Sequence, residues 1–546
     1  MATPRGFWRA VGEQLAGWAL GLPSESCSYN INPVRIPLRD GVELAADLYR
    51  PLLPGSDARP SGQFLVHGPY GRGIGTAVID ASLWAARGYQ VLLVSCRGTE
   101  GSGGELDPGR NEATDGQDIV VWMRDQPWYP GTFATFGASY LGYTQWALLH
   151  DPPADLIACI PTVGFHDYSR NYWHHGAFKM GRISWSDMVA MMDGLGHFSR
   201  ALRMAQNRKQ IRQVMEGLPL LESVRGYFGT KAPWLARALL LPDTTDEWYR
   251  PMQHAEALEK ANVPILLNTG WYDLFLDQTM EQYARLHERG CDVELTIGPW
   301  DHMNAGGIKV LPDIFAWMEE HVAGRAKRDK KFPVRVFVTG AEKWRDLPSW
   351  PPATTPRRFY LYPNKELCQD EPTGSRSSSS FTFDPLAPTP TVGGPLLSGG
   401  GRVDDGALAS RPDVLAFTTT LLADALEIAG APSVELHHSS DNPHVDVFVR
   451  LSAVDSKGRS TNIAEGFRRL QPEEPPGLLH LTMSQCAHRF EKGTRIRLLV
   501  AGGTFPLYSR NLGTDENTAT AATGRPSQHT ISFGEGALSA LVLPVE

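Results

Sequence analysis

Six cysteines in 546 residues, with no Cys-x-x-Cys pair, leave little sulfur chemistry to build on. Cys27, Cys96, Cys159, Cys291, Cys368 and Cys486 are too scattered for a disulfide framework or a closed zinc site. Reduced thiols in a cytoplasmic protein are the expectation. No apolar run approaches the ~20 residues of a membrane-spanning helix. The opening stretch, MATPRGFWRAVGEQLAGWALGLPSES, is broken by Arg9, Glu13 and Gln14. It therefore lacks the ~7–15 uninterrupted apolar residues of a secretory signal. It reads as an amphipathic packing helix with Phe7, Val11, Leu15 and Leu20 toward one side. Basic blocks are also missing: 52 Lys and Arg stand against 60 Asp and Glu, a net charge of −8. Such a chain is a poor partner for nucleic acid or an anionic membrane. His174–His175 and His437–His438 are adjacent pairs that do not converge on one ion, so neither a metal nor a cofactor is expected. No repeat of fixed period stands out.

What is present is ordinary globular chemistry with many turns. The chain is long enough for about three domains, and it carries 54 Gly and 41 Pro. From residue 30 to 165, strand and helix patterns alternate. QFLVHG (63–68) and YQVLLVSC (89–96) are short buried-strand runs ending in glycine-rich loops, and TFATFG (132–137) and LIACIPTVG (156–164) follow. This order predicts an α/β fold with a mostly parallel sheet covered on both faces. Residues 166–250, rich in aromatics and Met, read as a helical cap. VPILLNTG (263–270) and DVELTIGP (292–299) return to strand. FPVRVFVTG (332–340) opens a region of short strands and dense turns, read as an all-β jelly roll. The expected division is an α/β domain from 1–165 and 251–331, a cap from 166–250, and a β domain from 332–546.

The sharpest motif is FATFGASYLGY. A strand ends at Gly137, Ser139 occupies a tight turn, and a helix begins at Tyr140, which is the setting of a nucleophile elbow. Leu141 stands where a second glycine is usual, and Gly142 comes one place later. On this segment alone Ser139 is as readily a helix N-cap as a nucleophile. A serine nucleophile needs a base, and the base needs an orienting acid. In the expected order, VPILLNTGWYD supplies Asp273 and VELTIGPWDHM supplies His302, each at a predicted strand end. Asp277 and Asp301 are rival acids less well placed. An oxyanion hole would draw on the Tyr140 amide and on the loop HGPYGRG, where either the Tyr70 phenol or a nearby backbone amide can donate. His67, within the strand, reads as structural. Phe165, Tyr168, Tyr172, Trp173, Phe178 and Trp185 either line an acyl pocket or form the core of the cap. Phe165, Tyr172, Trp173 and Trp271 are taken forward as pocket candidates.

The ordered pieces DGVELAADLYRP, GPYGRG, RGTEGSGGE, GTFATFGASYLGY, GWYDLF, GPWDH, DNPHVDVFVRLSAVDSKGRSTNIAEG and HRFEKGTRIRLLVAGGTFPLYSRN resemble the cocaine esterase (CocE/NonD) family of serine hydrolases. That family belongs with the X-Pro dipeptidyl-peptidases. The resemblance runs from about residue 40 to 512. It implies an α/β-hydrolase domain, a helical cap and a C-terminal jelly roll. It implies Ser139 as nucleophile, Asp273 as acid, His302 as base, and the Tyr70 hydroxyl and Tyr140 amide as oxyanion donors. It also implies that residues 371–412, a flexible linker by composition, form an ordered crossing segment. Ser95 departs from the aspartate that family members often carry two residues before the arginine of the RG loop. The expected activity is hydrolysis of a small-molecule ester through an acyl-enzyme. An acyltransferase, an amidase, an X-Pro-type peptidase or a non-catalytic glycan- or partner-binding protein are the alternatives. Edge strands and an exposed cap leave room for a homodimer.

Overall fold

The computed structural model describes residues 3–55, 58–191, 197–305, 309–325 and 327–546. Its first sheet is built from β1 (Thr3–Pro4), β2 (Ser28–Pro37), β3 (Glu43–Leu52), β4 (Gln63–Gly68), β5 (Gln90–Ser95), β6 (Phe133–Ala138) and β7 (Leu156–Thr162). The chain then makes a small hairpin, β8 (Trp173–His174) and β9 (Ala177–Phe178). It returns to the sheet with β10 (Ile265–Tyr272), β11 (Val293–Asp301), β12 (Val334–Val338) and β13 (Lys343–Leu347). The strand order is β1-β2-β3-β5-β4-β6-β7-β10-β11-β12-β13. From β5 through β12 the neighbours are parallel; the flanking pairs are antiparallel. β4, β5 and β10 bury every residue, as strands covered on both faces must. Their common direction brings the loops after β4, β6, β10 and β11 to one edge of the sheet.

The first sheet continues past the expected boundary at 332. β12 pairs in parallel with β11, and β13 turns back on β12, so this sheet ends at Leu347 and the second begins at Thr355. The sequence VRVFV alternates, burying Val334, Val336 and Val338 in the core of the first sheet. The rise in turn density at 332 marks where crossover helices stop, not where the sheet stops.

The excursion between β7 and β10 carries the hairpin and four principal helices, Gly181–Ala190, His197–Glu216, Leu220–Phe228 and Pro233–Leu240. Tyr168, Tyr172, Trp173, Phe178 and Trp234 pack into one apolar cluster that also takes in Cys96, Tyr140, Tyr143 and Phe275 of the first domain and Phe505 of the all-β domain.

The helix Phe7–Ala19 follows its expected apolar stripe only in part: Val11 and Leu20 are half-buried, Leu20 against the core of the first domain, while the other two positions, Phe7 and Leu15, face outward. Phe7, Trp8, Leu15 and Trp18 are 61–83% exposed, whereas Glu13 and Gly17 face the protein. The buried Glu13 carboxylate is held by Arg5 Nε at 2.8 Å, Arg9 Nε at 2.8 Å and the Tyr29 hydroxyl at 2.8 Å. Gly17 leaves room for Arg87, whose Nη2 would lie 2.5 Å from an added Cβ. An ion-paired carboxylate and a close approach, rather than an apolar stripe, fix the contact.

The remaining chain is an all-β domain, a thirteen-stranded sheet spanning Thr355–Val545 with its own apolar core. The 371–412 stretch is built into it. Ser377–Phe383 pairs antiparallel with Ser527–Phe533. The fully buried Arg450 donates to the Val392 carbonyl at 2.7 Å and pairs with Glu465 at 2.6 Å. Its Gly, Pro and Ser content serves turns in a fixed path rather than freedom.

Candidate active site

β6 delivers Ser139 at φ 61° and ψ −118°, a backbone setting costly for a residue with a Cβ. Neighbours hold it there. The Ser139 amide donates to the Thr162 carbonyl at 2.9 Å, and its own carbonyl receives the Gly142 and Tyr143 amides at 2.9 and 3.0 Å. A Cβ at Gly68 or Gly137 would come within 2.4 Å of the Leu141 side chain, so those two glycines make the room that Leu141 needs. A Cβ at Gly142 would lie 2.7 Å from the Gly164 Cα. The displaced glycine thus lets the helix Tyr140–Leu148 press against the end of β7.

His302, after β11, places Nε2 3.0 Å from Ser139 Oγ and Nδ1 2.6 Å from Asp273 Oδ2. Asp273, after β10, also accepts the Phe275 amide on Oδ1 at 2.8 Å. His302 and Asp273 are both buried. Of the rival acids, Asp301 is occupied by Asn304, at 2.9 Å from the amide and 2.7 Å from the side chain. Asp277 lies beside His174 and His175, their donor atoms within 4.8 Å of one another. Asp277 is the partner that neither histidine could be expected to have from sequence.

The Tyr70 hydroxyl lies 3.3 Å from Ser139 Oγ and accepts from Trp185 Nε1 at 3.3 Å. Burial pushes this phenol up, opposed by hydrogen bonds with Ser139, Trp185 and the Tyr140 amide. The Tyr140 side chain is engaged elsewhere. Its hydroxyl donates to Glu112 and receives the Gly109 amide at 2.9 Å, which leaves its backbone as the part beside Ser139. Burial in turn raises Glu112 to about 7. His67 is buried in β4 and lowered by desolvation to about 4, as a structural imidazole would be. At Ser95 the hydroxyl receives Arg72, which also pairs with Asp47 of β3 at 3.3 Å.

Ser139 and His302 open into a pocket with about 560 Å³ of free space, part of it open to solvent. Phe165 lines it, together with Trp185 and Phe275. The other three pocket candidates do not. Tyr172 is buried in the cap core. Trp173 turns its Nε1 to the Ala238 carbonyl at 2.8 Å. Trp271 gives its Nε1 to the Phe337 carbonyl at 2.7 Å and packs on Trp350, lining a neighbouring cavity. Composition reveals that a segment is aromatic, but not which rings have found their carbonyl partners inside.

The pocket also holds three polar side chains that the sequence reading passed over: Asn171, Lys179 and Arg182. Lys179 Nζ donates to the Leu274 carbonyl at 3.2 Å and lies 5.9 Å from the centre of the Phe275 ring. Desolvation lowers it to about 8. Arg182 is stacked 4.1 Å over Trp185 and donates to the Tyr168 hydroxyl. The available signal was that two of the three cations in the aromatic run 165–185, Lys179 and Arg182, have no acid at helical spacing, whereas Arg170 has Asp167 three residues before it.

A family model for the X-Pro dipeptidyl-peptidase (S15 family) matches residues 40–304, and one for the X-Pro dipeptidyl-peptidase C-terminal non-catalytic domain matches 327–542. Cocaine esterase of Rhodococcus sp. (strain MB1 Bresler) is 28% identical over 538 residues, covering 88% of this chain and 92% of that protein. Two solved structures share the fold at 20% identity. An aminopeptidase from the marine sediment archaeon Thaumarchaeota archaeon has a TM-score of 0.80 over 95% of this chain and 96% of its own. An α-amino acid ester hydrolase has a TM-score of 0.79, covering 95% and 97%.

Proposed function

Because the chain belongs to the cocaine esterase (CocE/NonD) family of serine hydrolases, related to the X-Pro dipeptidyl-peptidases, we propose that it is a carboxylic ester hydrolase acting through Ser139, His302 and Asp273. The observation that carries this reading is His302, bridging Ser139 Oγ at 3.0 Å and Asp273 Oδ2 at 2.6 Å. Ser139 Oγ attacks the ester carbonyl while His302 Nε2 takes its proton. Asp273 holds the imidazole and stabilises its charged form. Tyr70 and the Tyr140 amide donate to the developing oxyanion. The alkoxide leaves with the proton from His302, giving an acyl-enzyme. Water, deprotonated by the same His302, then releases the acid. Ester cleavage is favoured over removal of amino-terminal dipeptides because, among the described residues, no carboxylate lines the pocket itself to hold a free amine; Asp277 and Glu465 line the adjoining cavity.

Intact mass after treatment with a neutral fluorophosphonate tests the reading. One adduct is expected on the wild type and none on Ser139→Ala. An unlabelled wild type would overturn it.

A further inference from the structure

Three polar groups in the pocket are unaccounted for by the hydrolytic machinery. Among the described residues, Arg182 has no carboxylate within ion-pairing distance, and its Nε is buried without a hydrogen-bond partner although the residue is only 7% exposed. Asn171 is 1% exposed, and both atoms of its side-chain amide are unpaired. Lys179 is half-buried, with a single carbonyl for its three N–H bonds and likewise no ion pair. A buried polar group without a partner is costly, and a buried cation more so. Two nearly buried side chains with unpaired atoms, Asn171 and Arg182, and a half-buried ammonium with N–H bonds to spare surround one cavity, which Ser139 also lines.

The rest of the wall is apolar: Phe165, Phe275, Leu396, Leu397 and Leu507. Among the described residues, no acidic side chain lines the pocket. Asp273 stands behind His302, while Asp277 and Glu465 line the neighbouring cavity, which Lys179 also borders; its ammonium feels the Asp277 and Asp273 charges but, among the described residues, is within ion-pairing distance of neither. A ligand that satisfies such a wall has an apolar body and one anionic end. A planar carboxylate suits it, since the guanidinium Nε–H and an ammonium both bind carboxylate oxygens through charge-assisted hydrogen bonds.

We propose that the pocket selects esters carrying a free carboxylate, held by Lys179 and Arg182 with Asn171 donating beside them. This rests on the hydrolase reading above and adds the substrate class to it. The ester is cleaved at Ser139, and the carboxylate is recognised, not transformed.

The experiment compares matched aryl esters on the full-length protein. One pair is the mono-aryl ester of glutaric acid and the same compound with its free acid capped as a methyl ester. A second pair carries the free or capped acid on the aryl leaving group. Neutral fluorophosphonate labelling of Ser139 is run on every sample. The expected result is a kcat/KM at least about tenfold higher for the free acid in one pair, as a charge-assisted hydrogen bond provides. That ratio falls about tenfold in Lys179→Gln, inverts in Lys179→Glu and survives in Lys179→Arg. A merely structural role for Lys179 would move both members of a pair together and leave the ratio in place. Equal rates for free and capped acids in both pairs, with Ser139 still labelled, overturn the carboxylate proposal and leave the hydrolase reading intact. An unlabelled Ser139 removes both.

Discussion

Ser139 is held in its strained turn by backbone hydrogen bonds, so its reactivity depends on what converges on Oγ. Tyr70 is one such group, and its role separates from that of the base. Tyr70→Phe keeps the ring and loses the donor, and should lower kcat by ~10²–10³ with KM little changed. Asp273→Asn should cost about 10⁴ in kcat by presenting the wrong imidazole tautomer. Steady-state kinetics on one aryl ester distinguish the two. Glu112 offers a test in stability. Burial raises its carboxyl from 4.5 to about 7, so the folded chain holds a proton that the unfolded chain has released. Its favourable contribution is complete below pH 4.5 and is lost as pH climbs through 7. Between pH 5 and 8 the wild type should lose about 3 kcal/mol relative to Glu112→Gln, measured by urea unfolding at each pH. Ser139, Asp273, His302 and Tyr70 were legible in the sequence because each follows a strand run of recognisable length. Lys179 and Arg182 were not, because a cation's partners come from distant segments and local spacing says nothing of their absence.

The helix Phe7–Ala19 shows the limit of periodicity. An apolar stripe predicts burial only when burial of apolar surface decides the packing. Here a carboxylate with two arginines and a tyrosine decides it. Glu13→Ala should therefore destabilise by about 3 kcal/mol, leaving Arg5 and Arg9 beside an empty site. Trp18→Gln on the outward face should stay within about 0.5 kcal/mol. Denaturant midpoints for the two variants check the contrast, and the reverse order would restore the inward stripe. The helix Tyr140–Leu148 has the opposite character. Every one of its residues is buried, and the close approach of Gly142 to Gly164 sets its depth. Gly142→Ala should cost about 1–3 kcal/mol and slow fluorophosphonate labelling, because the helix start carries the Tyr140 amide. The strands β4, β5, β6, β7, β10 and β11 were readable as short apolar runs. The end of the first sheet was not, since VRVFV fits either sheet and only pairing with β11 chooses.

At the scale of the whole molecule, the two sheets are joined by more than their linker. Pro395, Leu396, Leu397, Pro506 and Leu507 reach from the all-β domain into the pocket wall. Leu396→Ala together with Leu397→Ala should raise KM for a bulky aryl ester several-fold, through lost apolar contact, while Ser139 is still labelled by a small fluorophosphonate. Equal KM values in variant and wild type would place those leucines outside the substrate's reach. The resemblance over residues 40–512 made this arrangement readable where composition did not. A run such as LAPTPTVGGPLLSGGG looks unstructured until the buried Arg450 that anchors it is found.

The placement of Pro506 and Leu507 sets when, during synthesis, the wall of the pocket is completed. Ser139, Asp273 and His302 all emerge within the first 302 residues, and the sheet that aligns them ends at Leu347. The last pocket wall arrives some two hundred residues after His302. A nascent chain can therefore hold Ser139, Asp273 and His302, with Lys179 and Arg182 among them, well before Pro506 and Leu507 complete the apolar wall of the pocket.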